Sequence, residues 1–284
     1  MKAINIENLC KRYPAFELKN VSFSVEEGRI SGLIGRNGAG KSTTLKSMVN
    51  LISSEGKIEY FGKSVREYER EVKQRIGYVG SGNVYYPLKS AASVAKITSR
   101  FYDEWNDGIF EKYTEMFDLN LDKKISEFSE GMKVKFLIAC ALSHNAGILI
   151  MDEPTSGLDP LSREELCDIL LELVRQNGIS ILFSTHITSD LTRIADDIVY
   201  LSSGEVLLDG KLEDISNAYR TVNFKDETEA KNCGCHCIGL KAVKDGYEGL
   251  VKCDSLPDVG NISNADLDSI MIHIETEKKQ QRGE

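Results

Sequence analysis

The stretch Gly35-Arg36-Asn37-Gly38-Ala39-Gly40-Lys41-Ser42 narrows the choice of fold more than any other part of this chain. It places three glycines and a lysine where an apolar run ends and a helical pattern begins. Arg29 to Ile34 reads as a short buried strand, and after Lys41 the residues Leu45, Met48, Val49 and Ile52 recur at helical intervals. The stretch fits G-x-x-x-x-G-K-[ST]. Glycines let a backbone approach a ligand closely and adopt dihedrals closed to other residues. Successive amides then point inward at a helix N-terminus, where partial positive charge favours an anion. The combination predicts a cradle for nucleotide phosphates. Lys41 would reach the β- and γ-phosphates, Ser42 would offer its hydroxyl to Mg²⁺, and Thr43 would bond the α-phosphate.

A second constellation follows in GILIMDEP, where Ile148 to Met151 run straight into Asp152 and Glu153. A continuous apolar run ending in carboxylates reads as a central parallel strand whose C-terminal end faces a ligand crevice. Asp152 there would hold Mg²⁺ through water, and Glu153 would polarise an attacking water as general base. Just upstream, Val134, Leu137, Ile138, Ala141 and Leu142 mark a helix with one buried face. Ser129 sits at its N-cap position, with Gly131 beside it.

The phosphate loop, the capped FSEGMK helix, LIMDEP, SGLD and STH, in that order over about residues 1 to 210, resemble the ATP-binding-cassette family. The resemblance implies an α/β fold, a P-loop NTPase core whose mixed sheet is largely parallel. To this are added an antiparallel β subdomain, a helical subdomain at about 84–145 and a small α+β C-terminal segment. It implies that Gly35, Arg36, Asn37, Gly38, Ala39, Gly40, Lys41, Ser42 and Thr43 bind ATP while Tyr13 stacks on the adenine. Ser129 and Gly131 fall on the signature motif, which meets the γ-phosphate held by a second copy. Asp159 falls on the loop that communicates across that dimer, and His186 on the switch histidine. Glu153, His186 and Lys41 become the catalytic set, Ser42 and Asp152 the Mg²⁺ ligands.

Three departures stand out. The usual Leu-Ser-Gly-Gly-Gln signature is Phe128-Ser129-Glu130-Gly131-Met132, which sets a carboxylate near a triphosphate unless Glu130 turns away. The Met-Lys that follows Gly131 resembles the small two-component export branch, the ABC-2 type. After Ile76 to Val79 the family's Pro-Gln is Gly80-Ser81, with Asn83 nearby, and no residue here is assigned the missing glutamine's contact with the metal. Arg36 at the second loop position is a modest change, with a backbone-only role expected.

The implied function is an ATPase subunit that powers export through a separate integral-membrane permease. It would work as a pair of copies on the inner face of the cell membrane. The chain shows no apolar run of the roughly 20 residues needed to cross a bilayer, and its start lacks a secretory signal. Net charge is −9, from 35 basic and 44 acidic residues, which disfavours a nucleic-acid binder. A soluble cassette acting on ribosomes or DNA is the alternative; a single phosphate loop and a short span from Gly35 to Asp152 argue against it. A nucleotide-regulated binding subunit with weak turnover is another, kept open by Glu130 and Gly80-Ser81. The cargo has no signature in the sequence.

After about Lys211 the pattern changes. RTVNFK, CIGLKAV and EGLVKC read as strands, with KDGYEG as a hairpin turn. Leu267, Ile270, Met271 and Ile274 read as an amphipathic helix, and KKQQRGE as a frayed tail. Seven scattered cysteines fit a reducing compartment, and Cys10, Cys140 and Cys167 read as packing residues. In NCGCHC, strand alternation would put Cys233, Cys235 and Cys237 on one face and His236 on the other. The C-x-C spacing differs from the C-x₂-C of most structural zinc sites, so a buried set of small thiols is the favoured reading over a soft-metal site.

Overall fold

The structure is a computed structural model that describes residues 1–80, 86–258 and 260–282. Ser81 and Asn83 lie outside the described residues. The chain divides into two compact units, Met1–Asp209 and Gly210–Glu284.

In the first unit the strands are β1 (Lys2–Tyr13), β2 (Phe16–Glu26), β3 (Ile30–Ile34), β4 (Glu55–Tyr60), β5 (Lys63–Ser64), β6 (Ile76–Val79), β7 (Ile148–Asp152), β8 (Ser180–Thr185), β9 (Asp197–Ser202) and β10 (Glu205–Lys211). Its helices are α1 (Lys41–Met48), α2 (Glu69–Gln74), α3 (Ala91–Thr98), α4 (Asp107–Met116), α5 (Glu130–Ser143), α6 (Pro160–Asn177) and α7 (Thr188–Ile194). One sheet has the order β2-β1-β4-β5, and a six-stranded sheet the order β10-β9-β3-β8-β7-β6.

Composition separates the two sheets. Every residue of β3, β7 and β8 is buried, as expected for strands covered on both faces, and β3–β8, β3–β9, β6–β7 and β7–β8 all pair parallel. In β1 buried Ile4, Ile6 and Leu9 alternate unevenly with exposed residues. Register shifts against β2 accompany Asn8, whose φ of 52° marks a bulge. The two sheets share a core in which Ile4, Leu33, Ile150 and Leu182 are fully enclosed. Because β3, β7 and β8 run in one direction, their C-terminal ends come together beside the loop that starts α1, where open α/β sheets take ligands.

Between β6 and β7 the described chain is largely helical, and α4 and α5 bring Phe110 and Phe136 edge to face at 6.2 Å. The buried surface of α5 is shifted from the face that Val134, Leu137, Ile138, Ala141 and Leu142 marked in the sequence. Val134 and Leu137 are only half-buried, while Phe136, Ala139 and Cys140 are enclosed. Helix α6 is punctuated in its own sequence, with Asp159 capping its start, Pro160 in the first turn and Gly178 at φ 64° ending it.

The second unit contains helix α8 (Leu212–Ala218), strand β11 (Tyr219–Phe224), helix α9 (Glu227–Lys231), strands β12 (Ile238–Val243), β13 (Gly246–Lys252) and β14 (Asn261–Asn264), and helix α10 (Leu267–Arg282). Its sheet has the order β12-β13-β11-β14, and β12–β13, β13–β11 and β11–β14 pair antiparallel. Two expectations are corrected here. Residues 278–282 of the stretch read as a frayed tail belong to α10, where the Gln280 amide donates to Leu240 O at 2.8 Å. Cys233 to Cys237 form no strand but a turn between α9 and β12, since Gly234 at φ 74° reverses the chain.

Candidate functional site

The loop Gly35 to Gly40 joins β3 to α1 because its backbone goes where side chains cannot. Gly38 and Gly40 have φ of 83° and 110°, and a Cβ on Gly35 would lie 2.3 Å from Leu201 O of β9. Arg36, Asn37 and Gly38 are exposed, while Ala39 is buried and its amide donates to Arg36 O at 3.0 Å. The open rim and pinned base leave the loop amides facing a depression lined by Ala15, Phe16, Asn37, Gly38, Lys41, Thr43 and Glu153 among others.

Lys41, at the start of α1, folds back into this loop. Its ammonium donates to Gly35 O at 2.8 Å and lies 3.2 Å from Glu153 Oε1. The side chain is only 5% exposed, so carbonyls and carboxylate together replace its water. Ser42 Oγ donates to Asp152 Oδ1 at 3.0 Å, and Ser184 Oγ donates to the same oxygen at 2.7 Å. Ser184 was not among the residues picked from the sequence. It reaches Asp152 because the parallel register pairs the two positions directly.

Glu153 leaves β7 in a left-handed conformation, φ 51°, uncommon for a residue with a Cβ. Its amide donates to both Ser184 O and Ser184 Oγ at 3.1 Å, which holds the turn. The turn sends the carboxylate sideways across the strand ends. Oε1 meets Lys41, and Oε2 accepts from Nδ1 of His186 at 2.9 Å, so the proton sits on Nδ1. The structure therefore gathers Gly35, Gly38, Gly40, Lys41, Ser42, Thr43, Asp152, Glu153 and His186 at one place. The donors around Asp152 are hydroxyls and a carboxylate, the hard oxygen set that suits Mg²⁺ rather than a soft ion.

Other sequence-picked residues stand apart. Tyr13 is 40% exposed at the tip of the β1–β2 hairpin, with Lys11 Nζ 5.3 Å from its ring centre. Its cross-strand partner Phe16 lines the depression, and its ring would lie 2.7 Å from a Cβ on Gly40. The aromatic closest to the loop was thus legible only through the hairpin register. Ser129 caps α5 by accepting from Met132 N at 3.2 Å, and a Cβ on Gly131 would meet Leu158 Cδ2 at 3.6 Å. The signature helix therefore starts against the SGLD loop. Glu130 is turned to Lys133 on its own helix, at 2.7 Å. Asp159 accepts from the Ser162 hydroxyl and amide, which hold its carboxyl below the usual range. Among the described residues Ser129 and Asp159 bond within their own segments, to Met132 and to Leu161 and Ser162, away from the Gly35–Ser42 loop.

Comparison with known proteins gives one consistent picture. The family model described as ABC transporter matches residues 18–156. The uncharacterized ABC transporter ATP-binding protein YxlF of Bacillus subtilis is 34% identical over 229 residues, 78% of this chain and 75% of its own length. The bacitracin transport ATP-binding protein BcrA of Enterococcus faecalis is 30% identical over 248 residues, 86% of this chain and 79% of its own. A bacterial ABC transporter cassette solved as a dimer superposes with a TM-score of 0.66 at 25% identity, covering 74% of this chain and 98% of that one.

Proposed function

The chain belongs to the ABC transporter ATP-binding family, and from that premise we propose that two copies of it close over two Mg·ATP units and so drive export through a separate permease. It is the ATP-binding and ATP-hydrolysing subunit of a transporter. No helix among the described residues is long and apolar enough to cross a membrane. The relatives' role as transport ATP-binding proteins supports a spanning path in a separate partner, with this subunit at the membrane's cytoplasmic face.

The observation that carries the reading is Glu153 held between Lys41 and His186 at the mouth of the glycine loop. Arriving β- and γ-phosphates compete with Glu153 for the Lys41 ammonium. Lys41 moves its charge onto the phosphate oxygens, and the released carboxylate takes a proton from the attacking water. His186 keeps Glu153 aimed through its Nδ1–H. Ser42 and Asp152 would hold Mg²⁺, which would supply charge neutralisation to the triphosphate. Loop amides supply further fixed positive ends. Tyr13 and Phe16, paired at the hairpin tip, form the aromatic side of the adenine site.

Ser129 and Gly131 present the start of α5 to the nucleotide of the other copy, and the pairing of Glu130 with Lys133 along the helix surface offsets its charge beside that phosphate. Asp159 carries the contact between copies. Exposed Tyr86, Leu88 and Phe101 lie in or beside the helical segment, which we assign to the permease contact. The direct experiment is size-exclusion chromatography of Glu153→Gln with Mg·ATP. A dimer that disappears when ATP is replaced by ADP is expected; a monomer with bound ATP would overturn the sandwich.

A further inference from the structure

Around the turn after α9, three thiols lie nearly in contact. Cys233 Sγ is 3.3 Å from Cys235 Sγ and 3.5 Å from Cys237 Sγ, and the last two are 3.9 Å apart. The nucleotide chemistry uses none of them. We propose that Cys233, Cys235 and Cys237 bind one soft, thiophilic metal ion through three thiolates.

The geometry supports this in three ways. With metal–sulfur bonds of ~2.3 Å, an ion bonded equally to all three sulfurs sits about 1 Å above their plane. That pyramid leaves a fourth vertex for water or an external thiol. The donor set is all sulfur, which selects soft ions and rejects Mg²⁺ or Ca²⁺. His236 is not the fourth ligand: it is 76% exposed and its Nε2 lies 3.6 Å from Glu277 Oε1.

The site is also built before any ion arrives. Gly234 at φ 74° makes the reversal that brings alternate thiols to one side. Downstream, the Gly239 amide donates to Glu277 Oε2 at 2.7 Å, and Gly239 O pairs with Nδ1 of the buried His273 at 2.9 Å. These bonds anchor the end of the turn to α10. Beneath the thiols lies a small core that includes Val222, Phe224 and Val251, while Cys235 and Cys237 are only half-buried and give access from solvent. Burial raises all three thiols; hydrogen bonds from the Cys235 backbone and from both neighbouring thiols bring Cys233 below its ordinary value, whereas Cys235 and Cys237 stay raised. Each thiol that ligates releases its proton to solvent, so binding strengthens as pH rises.

The test uses the full chain under anaerobic conditions with a phosphine reductant, titrated with CdCl₂. One Cd²⁺ per chain with a thiolate-to-cadmium charge-transfer band is expected, and Cys235→Ser loses that band. A second measurement needs no variant. With Cd²⁺ present, iodoacetamide followed by peptide mass mapping should find Cys233, Cys235 and Cys237 shielded together, while Cys253 reacts at an unchanged rate. No shielding of the trio, or conversion of two of its thiols to a disulfide with Cd²⁺ left free, overturns the proposal.

Discussion

Oε2 of Glu153 accepts a hydrogen bond from Nδ1 of His186 at 2.9 Å, across the C-terminal ends of two parallel strands. The contact exists because Glu153 leaves β7 at φ 51° rather than continuing it. A residue extended like Asp152 would project to one face of the sheet. The left-handed turn instead lays the carboxylate between Lys41 and His186, and Ser184 fixes the turn from the adjoining strand. Backbone strain and catalytic geometry are thus one feature.

Replacing Glu153 by Gln should separate hydrolysis from binding. The amide cannot take a proton, so phosphate release should fall by roughly 10²–10⁴-fold. The Lys41 ammonium loses its anionic competitor at 3.2 Å, so ATP affinity should hold or rise. Steady-state phosphate assays and a nucleotide titration on the same preparation check both. Unchanged turnover would sink the general-base role.

Ser184→Ala should act on the metal before it acts on the nucleotide. Its hydroxyl is the second donor to Asp152 Oδ1 and also accepts from the Glu153 amide. Partners that orient a metal ligand are typically worth about 10–100-fold in metal affinity or activity. The Mg²⁺ concentration for half-maximal ATPase should therefore rise by about 10-fold, with ATP binding in the absence of metal little altered. A metal titration at saturating ATP reads the difference.

How much of this was written in the sequence depends on how local each signal is. The loop from Gly35 to Ser42 and the run Ile148 to Glu153 are contiguous stretches, and their spacing alone places them at strand ends. Ser184 is different. It becomes a partner of Asp152 only through the β7–β8 register, which a single sequence does not display. Phe16 likewise reaches the loop only through its pairing with Tyr13. The three thiols of the second unit were legible as a pattern but not as a shape. Alternation suggested a strand, whereas Gly234 makes a turn that gathers them. Glu130 could be flagged as a charge near a phosphate, yet its pairing with Lys133 follows from the helix that both belong to.

Gly35→Ala should be felt in stability as well as in binding. The new methyl would fall 2.3 Å from Leu201 O, a carbonyl fixed within the central sheet. Overpacking of this kind costs about 1–3 kcal/mol, which lowers Tm by about 2–4 °C per kcal/mol in a chain of this size. Exposed Asn37→Ala in the same loop should leave Tm nearly unchanged. Thermal melts of the two variants side by side make the comparison. Equal Tm values would mean that β9 yields.

His144 supplies the last prediction, on acid stability. Its ring stacks on Tyr102 at 3.6 Å, and Nδ1 lies 3.1 Å from Gln74 O, a carbonyl that can only accept, so Nδ1 carries the proton. Burial pushes its pKa down to about 4, with the Gln74 carbonyl opposing the shift only partly. In the unfolded chain an ordinary histidine takes up a proton near pH 6.5. Between about pH 6.5 and 4 the unfolded state therefore binds more protons at this position than the folded state. Its contribution to stability is intact above that window and is lost as pH falls through it, to a ceiling of about 3 kcal/mol. His144→Gln removes the titrating group, so denaturant melts at pH 7 and pH 4.5 should show a smaller acid loss for the variant than for the wild type. Carboxylates titrate in both proteins and cancel in the difference. If the two proteins lost equal stability, the His144 ring would have to accept its proton inside the fold without cost, against the packing of Tyr102 on its face and the carbonyl at its edge.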